Sequence, residues 1–166
     1  MAVYFFYGEE DFNIDSELEK MRSNLNPDFI SMSYKNLCRP NYVDLITALR
    51  SSPMMFGSSL CIVDISDYFF ANDYNFDDNE LEDIQNALEN NGEGIDIVFV
   101  VRIPRDEGRK IDTRRKLFKI LSKFNTTEFQ QFSPFKTAEL SNWIKNRAKT
   151  KKLKINDDAI TILLNI

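Results

Sequence analysis

Apolar and polar positions along this chain switch between a strand-like and a helix-like period. Residues 2–7 form an aromatic-rich apolar run closed by Gly8, short enough for a first, fully buried strand. The stretch Gly8-Glu9-Glu10-Asp11-Phe12-Asn13-Ile14-Asp15 follows, and Ile14, Leu18, Met21 and Leu25 then recur at helical spacing. Pro27 breaks that helix, and residues 29–34 alternate apolar and polar as a second strand. Tyr42, Leu45, Ile46 and Leu49 mark an amphipathic helix with Asn41 as its N-cap. Pro53 biases Ser52 away from helical geometry and closes this segment, Gly57 frees the backbone to turn, and residues 60–63 read as a core strand ending in Asp64.

Residues 66–79 read as a polar and aromatic loop without an assigned role, and Leu81, Ile84, Ala87 and Leu88 define a helix stopped by Asn91-Gly92. Residues 95–103 are almost continuously apolar, which argues for a parallel sheet covered on both faces; Pro104 ends the run. In the basic stretch 109–123, Leu117, Phe118 and Leu121, with Phe124 just beyond, make one apolar helix face. Residues 126–132 form a last strand, and Ser133-Pro134-Phe135 marks a boundary. Beyond it Leu140, Trp143, Ile144 and Ala148 form a helix, residues 149–154 a basic turn, and Asn156 caps a helix bearing Ala159, Ile160, Leu163 and Leu164.

With 166 residues, 43% of them hydrophobic, the chain suits one domain with its own core, or one domain and part of a second. No apolar run approaches membrane-spanning length and the N-terminus lacks a basic leader, so a soluble, cytoplasmic protein without a membrane partner is expected. There is no histidine, and Cys38 and Cys61 stand apart, which removes zinc and His-based catalysis and leaves two free thiols. Charge is uneven: residues 1–100 carry 5 Lys+Arg against 19 Asp+Glu, and residues 101–166 carry 16 against 7. Such a dipolar chain has either a solvated surface or neighbours of different charge.

Strand, glycine, helix is the geometry of a phosphate-binding loop, but the chemistry is missing. Such a loop needs G-x-x-x-x-G-K-[ST], because amides at both glycines cradle phosphate, Lys reaches the outer phosphates and Ser/Thr holds magnesium. Here Asn13 replaces the second glycine, Ile14 and Asp15 replace Lys and Ser/Thr, and Glu9, Glu10 and Asp11 would face a triphosphate with like charge. Gly8, Glu9, Glu10, Asp11 and Asn13 therefore read as a degenerate, non-binding loop. Asp64 is followed by Ile65 where a nucleotide hydrolase would place a second carboxylate, so no catalytic residue and no cofactor are expected; Asp64 reads as a cap on the strand's carboxyl end. Met54, Met55 and Phe56 put three large apolar side chains on a short connection, where they either fold under the preceding helix or bind something.

These features together resemble the delta subunit of the bacterial DNA polymerase III clamp loader. Tyr7, Gly8, Glu9, Glu10, Phe12, Ile14 and Asp15 match the family's opening motif, and the apolar pair followed by Gly57 and a strand ending in Asp64 matches its next segment. The basic helix and the pattern E-L-x-x-W-I-x-x-R-A, with I-x-x-D-A after a spacer, extend the likeness. The resemblance implies an α/β fold: an AAA+ (RecA-like) domain over residues 1–135 with a mainly parallel five-stranded sheet flanked by helices, then the opening of a small helical lid at 136–166. The pattern stops midway, so the rest of the lid and the C-terminal collar domain are expected to be absent from this chain.

The resemblance further implies a subunit without ATP binding or enzymatic activity of its own, working within the DNA polymerase holoenzyme. Met54, Met55 and Phe56 would occupy the place of the plug that enters the hydrophobic pocket of the sliding clamp, with Met for the more usual Leu. Expected partners are the sliding clamp (beta subunit), the other loader subunits through the collar, and DNA only within the assembled loader. Lys110, Arg114, Arg115, Lys116, Lys119 and Lys123 read either as a nucleic-acid patch or as a solvated face, and the absence of interleaved base-stacking aromatics favours the second. A receiver-like phosphoacceptor domain is the alternative, with Glu9, Glu10 and Asp11 as metal-binding acids, Asp64 as acceptor and Lys136 as its lysine; Val101-Arg102-Ile103-Pro104 lacks the Ser/Thr it needs. An active P-loop ATPase fails on the missing lysine.

Overall fold

The structure is a computed structural model and describes residues 2–51, 57–90, 94–105, 108–123 and 129–164, the side chains of 129 and 130 excepted. It divides into two compact units, Met1–Phe132 and Ser133–Ile166.

In the first unit, five strands form one parallel sheet: β1 Ala2–Gly8, β2 Tyr34–Cys38, β3 Ser59–Asp64, β4 Ile95–Arg102 and β5 Phe129–Phe132, in the order β2-β3-β4-β1-β5. The helices of this unit are α1 Asp11–Ser23, α2 Ile30–Ser33, α3 Tyr42–Leu49, α4 Ser66–Phe70, α5 Asp78–Glu89 and α6 Lys116–Lys123. Because side chains alternate across a strand, each apolar run feeds both faces. Val3, Phe5, Cys61, Val63, Ile97, Phe99 and Val101 join Leu45, Leu49, Ile84, Leu88, Leu117 and Leu121 in one buried cluster. Phe6, Leu60, Ile62, Val98 and Val100 join Ile14, Leu18 and Leu25 in the other. Two-sided burial is why β1, β3 and β4 read as runs rather than alternations.

Local caps fix the helix starts. Asn41 accepts the Asp44 N–H at 2.9 Å, and Asp77 and Glu80 close a reciprocal capping box at the start of α5. The Tyr42 hydroxyl donates to Asp83 at 2.5 Å, tying α3 to α5.

Three sequence-based expectations need correction. Residues 29–33 are helical, and the second strand is Tyr34–Cys38. Asn26 accepts the Asp28 N–H at 3.0 Å with Pro27 at the first helical position, so the backbone turns before any strand can start. The alternation there had no sheet to face: Met32 is 57% exposed. Second, residues 66–79 are not a plain loop. α4 begins at Ser66, and Tyr68, Phe69, Tyr74 and Phe76 are buried in the larger cluster, with Tyr68 stacked on Phe76 at 5.6 Å. The Tyr74 hydroxyl donates to Pro40 O at 2.5 Å, and burial pushes its pKa up to about 12.

Third, the basic stretch is helical only from Lys116. Asp112 turns the chain ahead of it by accepting from the Arg114 N–H at 3.0 Å and its guanidinium at 2.9 Å, bonds that hold the Asp112 carboxyl down at about 2. Leu117, Ile120 and Leu121 are buried and Phe118 packs edge-on to Phe5, while residue 124 lies outside the described residues. Arg115 lies over the rings of Tyr68 and Phe69, and Lys116 pairs with Asp78 at 2.8 Å. The last strand, expected from residue 126, is described from Phe129.

The second unit contains α7 Thr137–Thr150 and α8 Asp157–Leu164, which pack on each other; Asn156 accepts the Ala159 N–H at 2.9 Å, and Ile160 is buried. Among the described residues no helix is long and apolar enough to cross a membrane.

Candidate functional site

Open parallel sheets present their ligand crevices at the carboxyl ends of the strands. In this sheet that end is marked by Gly8 of β1, Asp64 of β3 and Arg102 of β4. The connection from β1 to α1 is only Glu9 and Glu10, so Asn13, in the place of a second loop glycine, already lies inside α1. Gly8 has φ +155° and sits against the backbone of β5; a Cβ there would lie 1.9 Å from Phe132 O. The Glu9 N–H donates to Phe132 O at 3.0 Å, and the Asn13 and Ile14 N–H groups donate to Glu10 O at 3.1 Å each. A phosphate cradle needs a wider loop whose amides point into open space. This turn is only two residues long, and its Glu9 amide is taken by the end of β5.

A cation occupies the crevice. The Arg102 guanidinium lies 3.3 Å from Asp11, 2.6 Å from Asp15 and 3.4 Å from Asp64, joining α1, β3 and β4. Its own N–H donates to Ser66 Oγ at 2.8 Å, and that hydroxyl donates to Asp64 at 2.6 Å. Burial alone would lower the Arg102 pKa, but hydrogen bonds and charge from Asp15 and Asp11 outweigh it, so it stands above the ordinary arginine value. Beside it Arg105 donates to Glu9 O at 2.8 Å and pairs with Glu10 at 2.8 Å. A cavity of about 320 Å³ continues along α1, lined among others by Glu19, Arg22, Tyr34 and Asn36.

Of the acids that sequence reading placed opposite a triphosphate, Asp11 pairs with the Arg102 guanidinium and Glu10 with Arg105. Among the described residues no group of three His, Cys, Asp or Glu could hold a metal ion. Asp64 caps the end of its strand by accepting the Ser66 N–H at 3.0 Å, and it also anchors Arg102. Burial pushes the Cys61 thiol up to about 11 and makes it unreactive, while Cys38 is exposed. Sequence reading passed over Arg102 and Arg105. The available signal was a charged residue closing an apolar run, Val100-Val101-Arg102.

Replacing Arg102 with Met leaves Asp11, Asp15 and Asp64 facing one another. We expect a loss of about 1–2 kcal/mol, most of it at Asp64, whose side chain is only 24% exposed. Urea melts at low and high salt check this: salt screens the repulsion and restores part of the loss.

Met54, Met55 and Phe56 lie outside the described residues. Their flanks are described: α3 ends with Ser51 N–H and Oγ both donating to Ala48 O, and Gly57 has φ +119° with nothing near its Cα face. The Ser59 N–H then donates to Gly94 O at 2.8 Å at the amino end of β3. β3 thus begins, two residues after Gly57, at the end of the sheet opposite the Arg102 crevice.

The sheet order removes the receiver alternative, whose strands run 2-1-3-4-5; here β1 lies between β4 and β5. Residues 4–132 match the model of the family described as DNA polymerase III, delta subunit. No curated protein matches the chain. Among solved structures, a Bacillus subtilis DNA clamp loader delta protein is similar with TM-score 0.73 at 17% identity, covering 99% of this chain and 48% of that one. A DNA polymerase III gamma subunit-related protein from Thermotoga maritima is similar with TM-score 0.52 at 15% identity, covering 98% of this chain and 48% of that one. The Aeropyrum pernix ORC2 protein is similar with TM-score 0.51 at 13% identity, covering 89% and 46%. These likenesses show the AAA+ type of fold, and the chain spans about half the length of each structure.

Proposed function

We propose that this chain, which belongs to the DNA polymerase III delta subunit family, binds the ring-shaped sliding clamp of DNA replication through Met54, Met55 and Phe56 and helps open it for loading onto primed DNA. The family match over residues 4–132 is the observation that carries the reading. The plug side chains leave water for an apolar pocket of the clamp, and a clamp held in its open geometry shifts its closed-open equilibrium by differential affinity. The protein works in the cytoplasm, assembles with the other loader subunits through a collar domain and meets DNA only within the loader, with no membrane partner. It has no catalytic residue.

ATP is handled by neighbouring subunits. Gly8, Glu9 and Glu10 turn directly into α1, which holds Asp11 and Asn13, and Arg102 supplies internally the positive charge that a nucleotide site would direct at phosphate. Capture of the chain by its host's immobilised clamp tests the partner. Calorimetric titration with magnesium and ATP tests the closed crevice: no saturable heat is expected up to millimolar nucleotide, and micromolar binding would contradict it.

A further inference from the structure

We infer that the turn joining α7 to α8 is a contact site for the phosphate backbone of DNA, made by Lys149, Lys151, Lys152 and Lys154. All four side chains are exposed, and among the described residues none has an acidic partner; nearby Asp157 is taken by Lys145 at 2.8 Å. Residues 133–166 carry 7 Lys+Arg against 3 Asp+Glu and belong to the basic half of the chain. A lysine in the last turn of a helix is explained by the helix dipole, which accounts for Lys149. It does not account for Lys151, Lys152 and Lys154, which lie beyond the helix.

The backbone adds an independent reason. The Leu153 N–H donates to Ala148 O at 2.8 Å and the Lys152 N–H to Lys149 O at 3.0 Å, the paired bonds of a Schellman turn. In that motif the residue after the cap is left-handed and is usually glycine. Here it is Lys152, at φ +57°. A strained position thus holds a long, exposed cation where the fold alone favours glycine. No aromatic residue lies between residues 149 and 154, so the turn is suited to backbone phosphate rather than to bases.

The inference rests on the replication reading only for naming DNA as the polyanion. The assay contains no clamp, so its failure leaves the clamp reading standing. Fluorescence anisotropy of the whole chain with a labelled duplex of about 20 base pairs, from about 50 to 200 mM salt, reads affinity and its salt slope. Lys152→Gly relieves the left-handed strain and melts no lower than the parent, so weaker binding cannot come from unfolding. It is expected to weaken duplex binding about two- to threefold and reduce the slope of log K against log salt by about 0.9. Changing all four lysines to Gln is expected to cost at least about tenfold at low salt and reduce the slope by about 3.6.

Single-stranded DNA of the same length separates the sources of phosphate. Tighter binding there, lost equally in the variants, makes the template strand the source and still supports the site. No binding by the intact chain at low salt, or variants with unchanged affinity and slope, overturns it.

Discussion

Gly8→Ala is expected to destabilise the first unit by about 3 kcal/mol or more and to release β5 from the sheet. The new methyl would lie 1.9 Å from Phe132 O, 2.6 Å from its carbonyl carbon and 2.8 Å from its nitrogen. These are backbone atoms, so no side-chain rotation relieves the clash. They are also held in place, by pairing of Phe5–Gly8 with Phe129–Phe132 and by the Glu9 N–H bond to the same carbonyl at 3.0 Å. The backbone at φ +155° adds a second penalty for any residue with a Cβ. The chain must either distort the end of β1 or surrender a short edge strand. Urea melting with hydrogen exchange at residues 129–132 checks this: the midpoint falls, and protection is lost there before the rest of the sheet. An unchanged midpoint would mean that β5 does not sit against Gly8.

The parts of the fold that could be read in advance are those with a local cause. β1, β3 and β4 announce themselves as apolar runs because both of their faces are buried. The starts of α3 and α8 follow from single capping residues, Asn41 and Asn156. β2 could not be read because it is an edge strand pairing only with β3, with Lys35, Asn36 and Cys38 exposed, so little apolar pattern remains. The five aromatic residues from Tyr68 to Phe76 looked like loop decoration because their spacing follows neither period, yet Tyr68, Phe69, Tyr74 and Phe76 are buried and Phe70 packs against the same cluster.

One half of the site lay open to sequence reasoning: Asn13, Ile14 and Asp15 stand where a nucleotide-binding loop has Gly, Lys and Ser/Thr, and the expectation of lost nucleotide chemistry rests on them. What replaced that chemistry was hidden, because Arg102 meets Asp15 and Asp11 across 87 and 91 residues of sequence and no local pattern reports a pair so distant.

Simultaneous Met55→Ala and Phe56→Ala replacement is expected to remove clamp binding and leave folding intact. Each side chain contributes about 1.5–3 kcal/mol when it is fully buried in a partner. Together they account for about 3–6 kcal/mol, which is on the order of a hundredfold to ten-thousandfold in affinity. The competing reading, that both pack under α3, assigns the same energy to folding and lowers the melting midpoint instead. Met54→Ala serves as the milder neighbour in the same experiment. The described residues that follow, Gly57 and the start of β3, lie at the end of the sheet away from Gly8 and Arg102, so losses of stability at those two residues do not imitate a lost plug.

The decisive measurement is calorimetric titration of the chain and of the Met55→Ala/Phe56→Ala variant into the host's sliding clamp, with a thermal melt of each. Saturable binding by the intact chain, absent in a variant that melts at the same temperature, is the expected result. A variant that binds as well as the parent, or an intact chain that does not bind, would contradict the assignment of Met55 and Phe56 as the clamp-binding plug.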